Sequence, residues 1–422
     1  MNIIYKNYQS AVQFLLTSSI ILACFSVNLP TAWMGASTIL ILSMFLLGGD
    51  FNAKFKKIMN HPSAVATLLF FAIIVLGVFY SSGYWDMKIK FFQKYTKLLL
   101  IPVILSSVST PKIRSYGVYA FVLTAVFVLF ISYGKWLHVL PLDLGIHDIA
   151  TLDYGYAVYR NRIAHNIFMS FAMYVFLIKS ARSQAWIQKI WGILATLAFF
   201  NVMYLVNGRS GQVICLGLLA YFLFKQWGKK AIYLILALFL SGMIFKSYLT
   251  PLIPERLLSI TQEISDAKEN HEMTSSGIRY VMYQSAMQIF LKSPLWGHGI
   301  GSLRDEYRTL NKEGYALDIE GMDNPHNQYL LILVELGLIG LVGFMYLFYS
   351  QWTALKIKSL GEEAYIKDLL EGLILTILIG SLFNSLILDA GEGKFYCVMA
   401  GLFLSAFYSQ KNKKRFYNQP TN

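Results

Sequence analysis

Charge is scarce in this 422-residue chain. Asp, Glu, Lys and Arg make up 14% of it against 56% hydrophobic residues, with a mean hydropathy of +0.51. A soluble domain usually carries about a quarter charged residues, so an ordinary soluble fold is excluded and a polytopic membrane protein is left. Acidic residues are the scarcer sign, 23 against 36 basic, for a net charge of +13. The Lys and Arg sit mostly in short loops between apolar runs, as topology signals do, so the excess does not point to nucleic acid. Cysteine is nearly absent: Cys24, Cys215 and Cys397 each lie inside an apolar run without paired spacing, which argues against a disulfide framework or a zinc site. There is no His-Glu-x-x-His, no Asp-x-Asp, no Gly-x-Ser-x-Gly and no Ser-His-Asp ordering, so metal-independent chemistry with no cofactor is the economical expectation. No internal repeat and no soluble stretch long enough to build its own core interrupts the chain, and 1–422 reads as a single integral membrane domain.

What is present is apolar runs of membrane length. With about twenty residues needed per crossing, about twelve spans are expected, at 11–29, 32–48, 63–81, 95–109, 116–134, 164–179, 187–206, 211–226, 231–248, 326–350, 369–388 and 395–409. The first lacks a small-x-small cleavage site and reads as a retained helix. Loops around Lys54, Lys56 and Lys57, Lys112 and Arg114, Lys179 and Arg182, and Lys225, Lys229 and Lys230 form one basic set. By the positive-inside rule these loops and both termini are expected in the cytoplasm. All eight Trp residues fall at span ends or in loops, as an interfacial aromatic belt requires.

The opposite loops carry the unusual chemistry. Lys94 and Lys97, one helical turn apart, break the charge rule in the 82–97 stretch. Arg160 and Arg162 lie just before the sixth span, and Asn207-Gly208-Arg209-Ser210-Gly211 joins spans seven and eight. The longest loop, 249–325, is read as a large outward loop with an amphipathic segment at 255–269 and a helix at about 276–291 that carries Arg279. Gly297-His298-Gly299-Ile300-Gly301 reads as a hinge, since a lone Gly-x-Gly is weak evidence of a phosphate loop. Asp389 and Glu392 close the last outward turn.

The chain is organised around Asp323 to Gly340, where Asp-Asn-Pro-His326-Asn327-Gln-Tyr runs directly into an apolar segment bearing Gly337 and Gly340. Asn324 can cap a helix with Pro325 in its first position, which would put His326 in the first turn. A neutral imidazole there, beside an anion site, suits a general base; the plainer alternative is that His326 only caps a helix at the membrane surface. Lys94, Lys97, Arg160, Arg162, Arg209 and Arg279 share the outward side with His326. Together they suit a diphosphate, whereas each alone is equally accounted for by snorkelling to lipid headgroups.

His326-Asn327, nine residues, then Gly337-x-x-Gly340 resembles the His-[Asn/Ser/Gln]-x9-Gly-x-x-Gly pattern of the bacterial O-antigen ligase and polymerase superfamily. The Asn207–Gly211 turn and the run from Arg279 through Pro294 to Gly301 are similar to that family as well, and Leu341 departs from its usual Gly, Thr or Tyr. The resemblance implies an all-α polytopic, GT-C-like fold in the bacterial inner membrane, with its active site facing the periplasm. It also implies an inverting transfer of glycan from undecaprenyl diphosphate to a sugar hydroxyl, in ligases one on the lipid A core of lipopolysaccharide. On that reading His326 is the base, the six basic residues hold the diphosphate, and Asn327, Gly337, Gly340, Asp389 and Glu392 support them; the partners are the lipid-linked donor, lipid A-core and membrane lipids. The alternatives are an O-antigen polymerase within the superfamily and, from another class, a lipid-linked sugar flippase or transporter. The latter is disfavoured because the spans look nearly free of charge and the polar residues gather on one face.

Overall fold

The computed structural model describes residues 2–144, 156–206, 208–233, 275–312, 322–356 and 361–417, and these are entirely helical apart from turns and loops. In chain order the helices are α1 (Asn2–Ser26), α2 (Thr31–Leu47), α3 (Phe51–Met59), α4 (Pro62–Phe79), α5 (Trp85–Tyr95), α6 (Leu100–Ser107), α7 (Pro111–Trp136), α8 (Arg162–Arg182), α9 (Ala185–Phe200) and α10 (Arg209–Trp227). After the long loop come α11 (Ser275–Lys292), α12 (Leu303–Lys312), α13 (Gln328–Ala354), α14 (Glu362–Gly380) and α15 (Ala390–Tyr417). The apolar helix interiors have no competing turn chemistry, and prolines at the starts of α4 and α7 stand where a missing N–H costs nothing.

Among the described residues six helices are long and apolar enough to cross a membrane: Lys6–Ser26 within α1, α4, α7, α8, α9 with its π-turn to Leu205, and α13. A bent pair, α2 with α3, meets at 115° and would make a seventh. The expected span at 95–109 is instead a 3₁₀ turn, Thr96–Leu99, leading into the eight-residue α6. The expected spans at 211–226 and 395–409 are helical, and that at 369–388 is helical only to Gly380 and then turns; all three fall outside those six, and α14 carries Glu362, Glu363, Lys367, Asp368 and Glu371 in its first half. Most of the expected span at 231–248, the amphipathic stretch at 255–269 and Asn207 lie outside the described residues.

The core gathers on α15. Phe395, Tyr396, Cys397, Val398, Met399 and Ala400 are all fully buried in succession, the pattern of a helix apolar on every side and enclosed by others. Phe395 packs on Phe168 and Phe171 of α8 at 5.0 and 5.4 Å between ring centroids and on Phe121 of α7 at 6.1 Å.

The decisive local feature is a break in α13. Gly337 has φ 61° and ψ −159°, non-helical values inside an otherwise continuous helix and a backbone region that essentially only glycine occupies. Breaking a membrane helix frees backbone groups that must find partners. Here the glycine loop after α11 supplies them. His298 N–H donates to Val334 O at 2.8 Å and Gly299 N–H to Glu335 O at 2.7 Å, while Leu338 N–H donates to Pro294 O at 2.9 Å. The same loop is tied to the end of α4, with Ile300 N–H on Gly77 O at 2.9 Å and Ser81 Oγ–H on Ile300 O at 2.8 Å. Gly297, Gly299 and Gly301 all have positive φ. A Cβ on Gly297 would stand 2.6 Å from Glu335 C, and one on Gly299 2.1 Å from Ser81 Cα. The Gly-x-Gly-x-Gly run is therefore a packed clamp rather than the expected hinge.

Gly337→Ala and Gly297→Ala are each expected to destabilise the protein by about 1–3 kcal/mol from backbone strain alone, and more where the new Cβ meets backbone at 2.4–2.6 Å. Gly35→Ala, whose Cβ would meet nothing within 4 Å, is the neutral control. Thermal unfolding of the detergent-purified proteins measures both, and equal melting temperatures for all three would remove the clamp.

Candidate active site

The stretch before α13 is built by its two asparagines. Asn324 Oδ1 accepts the His326 N–H at 2.9 Å and the Ser385 hydroxyl at 2.7 Å. Asn327, not Asn324, caps the helix: its Oδ1 accepts the N–H groups of Tyr329 and Leu330 at 2.9 and 3.1 Å, and its Nδ2 donates to Leu382 O at 3.0 Å. The helix begins at Gln328, so His326 lies two residues before it rather than in its first turn. His326 has φ 52°, left-handed backbone that His tolerates better than most residues but that its surroundings must hold. The Asn324 side chain and Tyr283, whose hydroxyl donates to Leu382 O at 3.0 Å and lies 3.4 Å from His326 O, provide that hold. Lys90 reaches Asp323 at 2.9 Å and ties the same loop to α5.

The His326 ring reaches solvent, yet its pKa is lowered. Partial desolvation is the main cause and the Arg279 guanidinium the second, with Asp323 acting in the opposite sense. Arg279 projects from α11, and burial lowers its pKa, with Tyr283 opposing and Arg209 acting in the same sense as burial. Arg209 opens α10. The Gly208 and Gly211 that flank it press on α8, where added Cβ atoms would stand 2.6 Å from Asn166 Nδ2 and 2.2 Å from Asn166 Cβ. Gly208 also lies against the Arg162 carbonyl. Thus Arg209, Arg279 and His326 come together from three elements, with the start of α8 beside them.

The other predicted cations lie across the 381–389 segment. Lys97, buried, donates from Nζ to the carbonyls of Leu388, at 2.9 Å, and Asp389. Arg160 donates to Val27 O at 3.1 Å and stands 5.8 Å over the Phe168 ring. Lys94 lies 5.0 Å from the centre of the Phe91 ring. Asp389 and Glu392, expected to close the last outward turn, are drawn into the protein: Glu392 is buried, Asp389 half-buried, and burial raises the pKa of both. The Glu392 charge pushes Asp389 further up while Lys97 and Lys94 pull it down, and Arg160 and Lys97 lower Glu392. Five of the six basic residues thus divide into Arg209 and Arg279 on the side of His326, and Lys94, Lys97 and Arg160 near two carboxyl groups, while Arg162 is placed only by its carbonyl against Gly208.

One residue escapes the sequence reading. Glu335, fully buried two residues before the break, accepts the Gly301 N–H on Oε1 at 2.7 Å, and its Oε2 faces the Tyr95 hydroxyl at 3.4 Å. Tyr95 leads on to Gln328, whose Oε1 accepts the N–H groups of Ile387 and Leu388 at 2.9 and 3.3 Å. Glu335 is the single charged residue in the helical segment that follows His326, and an ionisable group inside a span is by itself a signal of function.

Glu335→Leu is expected to leave the buried Gly301 N–H without its partner, at about 1–3 kcal/mol, and to lower the melting temperature. Glu335→Gln, which keeps an acceptor of the same shape, is expected to recover most of that loss. Equal melting temperatures for wild type and Glu335→Leu would separate Glu335 from the clamp. A second expectation is the pH profile of whatever reaction uses His326 as a base. Its acid limb falls as the imidazole protonates, below the ordinary histidine value, and Arg279→Met moves that limb to higher pH because the repelling charge is gone. An unmoved limb in rate measurements from pH 5 to 8 would deny the coupling.

Two comparisons bear on this arrangement. The family model described as O-antigen ligase matches residues 194–345. An uncharacterized protein of Haemophilus influenzae is 26% identical over 170 residues, which cover 37% of this chain and 41% of that protein. The chain therefore spans less than half the length of the relative it matches. The matched family segment contains Arg209, Arg279, the glycine clamp, His326, Glu335, Gly337 and Gly340, and leaves out Lys94, Lys97, Arg160, Arg162, Asp389 and Glu392. That match, over 152 of the chain's 422 residues, supports membership of the O-antigen ligase superfamily.

Proposed function

We propose that this chain is a metal-independent inverting glycosyltransferase. It moves O-antigen glycan from undecaprenyl diphosphate to a sugar hydroxyl of lipid A-core, at the periplasmic face of the inner membrane and with 249–325 as the outward loop. The observation that carries this reading is His326 held out of the helix in a strained, exposed position beside Arg279, which in turn feels Arg209. A base must be neutral to accept a proton, and desolvation with a neighbouring guanidinium keeps it so at neutral pH.

The reaction balances with these groups. The acceptor hydroxyl gives its proton to the imidazole of His326 as its oxygen bonds to the anomeric carbon from the face opposite the diphosphate. The bond from that carbon to the diphosphate oxygen breaks, and undecaprenyl diphosphate leaves with the electron pair. The charge that develops on the departing phosphate is met by the planar guanidinium groups of Arg279 and Arg209, which bind phosphate oxygens in pairs. Arg162, Arg160, Lys94 and Lys97 extend positive charge along the donor, and Asp389 and Glu392 orient the neighbouring cations.

His326→Ala is expected to reach the membrane at near wild-type level and to lose transfer by at least about 100-fold, measured with purified protein and lipid-linked donor. Arg279→Lys is expected to act poorly, because a point charge lacks the paired fork. Transfer should persist in EDTA. In cells lacking the protein, lipopolysaccharide should carry bare core while polymerised glycan accumulates on undecaprenyl diphosphate. Core bearing one repeat unit would identify a polymerase instead, and loss of outward-facing lipid-linked glycan a flippase.

A further inference from the structure

At the end of the bundle away from His326, α7, α8 and α14 line an open cavity of about 340 Å³, within the size range of small-ligand sites. Ion pairs stand in and beside it. Arg114 is paired with Glu362 through two hydrogen bonds of 3.1 Å, Arg182 with Asp368, and Lys225 with both Asp368 and Glu371. That sets Arg114, Arg182 and Lys225 against Glu362, Asp368 and Glu371, three cations with three carboxylates. Lys179, which also lines the cavity, is left over.

The Lys179 ammonium has no carboxylate or carbonyl within hydrogen-bond reach among the described residues. It stands 4.5, 4.9 and 5.5 Å from the ring centres of Tyr119, Trp191 and Tyr365. Aromatic faces hold a cation but offer its three N–H groups no acceptor oxygen. Ser115 and Ser183 also line the cavity and can donate to an anion. Next to it Tyr116 and Tyr119 are each 56% exposed on the outer surface of α7, and Trp186 is 66% exposed at the start of α9. Such half-polar aromatics mark the headgroup level of a bilayer.

We propose that this cavity binds one phosphate-bearing ligand of single net charge, its phosphate oxygens accepting hydrogen bonds from Lys179, Ser115 and Ser183. The chemistry is that of a phosphodiester headgroup or of free phosphate. One anion gives the Lys179 ammonium the oxygen partner that its aromatic neighbours do not, and the surrounding rings leave it partly shielded from water.

The test uses the full-length protein, delipidated in detergent and then titrated with phosphatidylglycerol, phosphatidylcholine or inorganic phosphate while melting temperature and lipid retention by native mass spectrometry are followed. Phosphatidylglycerol should be retained and raise the melting temperature, phosphatidylcholine should do neither, and Lys179→Met should weaken the first effect at least tenfold. Lys112→Met, an exposed lysine near the same end, should not. Should Lys179→Met fail to accumulate, Ser115→Trp, which fills the cavity and keeps every charge, replaces it with the same expectation. A melting shift by inorganic phosphate alone that Lys179→Met abolishes supports the site with a soluble ligand as its source. Equal phosphatidylglycerol retention in wild type and the variant, or equal retention of the neutral lipid, overturns the proposal.

Discussion

Everything at the candidate active site depends on the exchange of backbone hydrogen bonds between the glycine clamp and the break at Gly337. In an apolar medium an open helix end is costly because each free N–H or carbonyl has no water to turn to. The loop 294–301 removes that cost by presenting carbonyls to Leu338 and Ile339 and N–H groups to Val334 and Glu335. The first part of α13, Gln328 to Leu336, becomes a nine-residue half-helix of about 13 Å. It is capped by Asn327 at one end and clamped at the other. His326 sits immediately before the capped end, so the break fixes where the imidazole can be.

Electrostatics then sort the polar residues. Arg279 disfavours the imidazolium of His326, whereas Lys97 and Arg160 face the carboxyl groups of Asp389 and Glu392. Between the two groups runs the 381–389 segment, held by Asn327 at Leu382, by Asn324 at Ser385, by Gln328 at Ile387 and by Lys97 at Leu388. The same asparagine that caps the half-helix therefore positions the strip of chain that leads to Asp389. That double use of one amide accounts for the residue following His326 better than a contact to substrate would.

Much of this was legible in the sequence because it was local. The helix expected at about 276–291 is Ser275–Lys292, and the His-Asn-x9-Gly-x-x-Gly spacing marks the half-helix and its break. What was not legible depends on distant partners. Both Asn324 and Asn327 are good caps, and Pro325 favours the first; the choice falls to the second because His326, with φ 52°, keeps the backbone after Asn324 out of the helix, and Asn324 serves instead to tie His326 to Ser385. A Gly-x-Gly-x-Gly run looks mobile until α4 and α13 close on it. Asp389 and Glu392 read as loop carboxylates because nothing nearby in sequence reveals the lysine and arginine that face them. Glu335 was visible as a lone acid in an apolar run, but its partner Gly301 lies 34 residues back.

The far end of the bundle completes the logic. Arg182 of α8, Lys225 of α10 and Asp368 and Glu371 of α14 form one ionic cluster, joined by the Tyr221 hydroxyl on Glu371 at 2.9 Å. Burying such charges costs solvation that pairing only partly returns, so the cluster is a poor source of stability, and fixing register is its best-attested use. The three helices it joins begin or end at the candidate active site: α8 at Arg162, α10 at Arg209 and α14 beside Ser381, whose carbonyl accepts the Gln328 N–H at 2.8 Å. A helix transmits axial position along its length because each residue adds a fixed rise of about 1.5 Å. A register set by charge at one end is thus delivered as arginine placement at the other, where a shift of one residue would turn Arg209 away from Arg279 by about 100°.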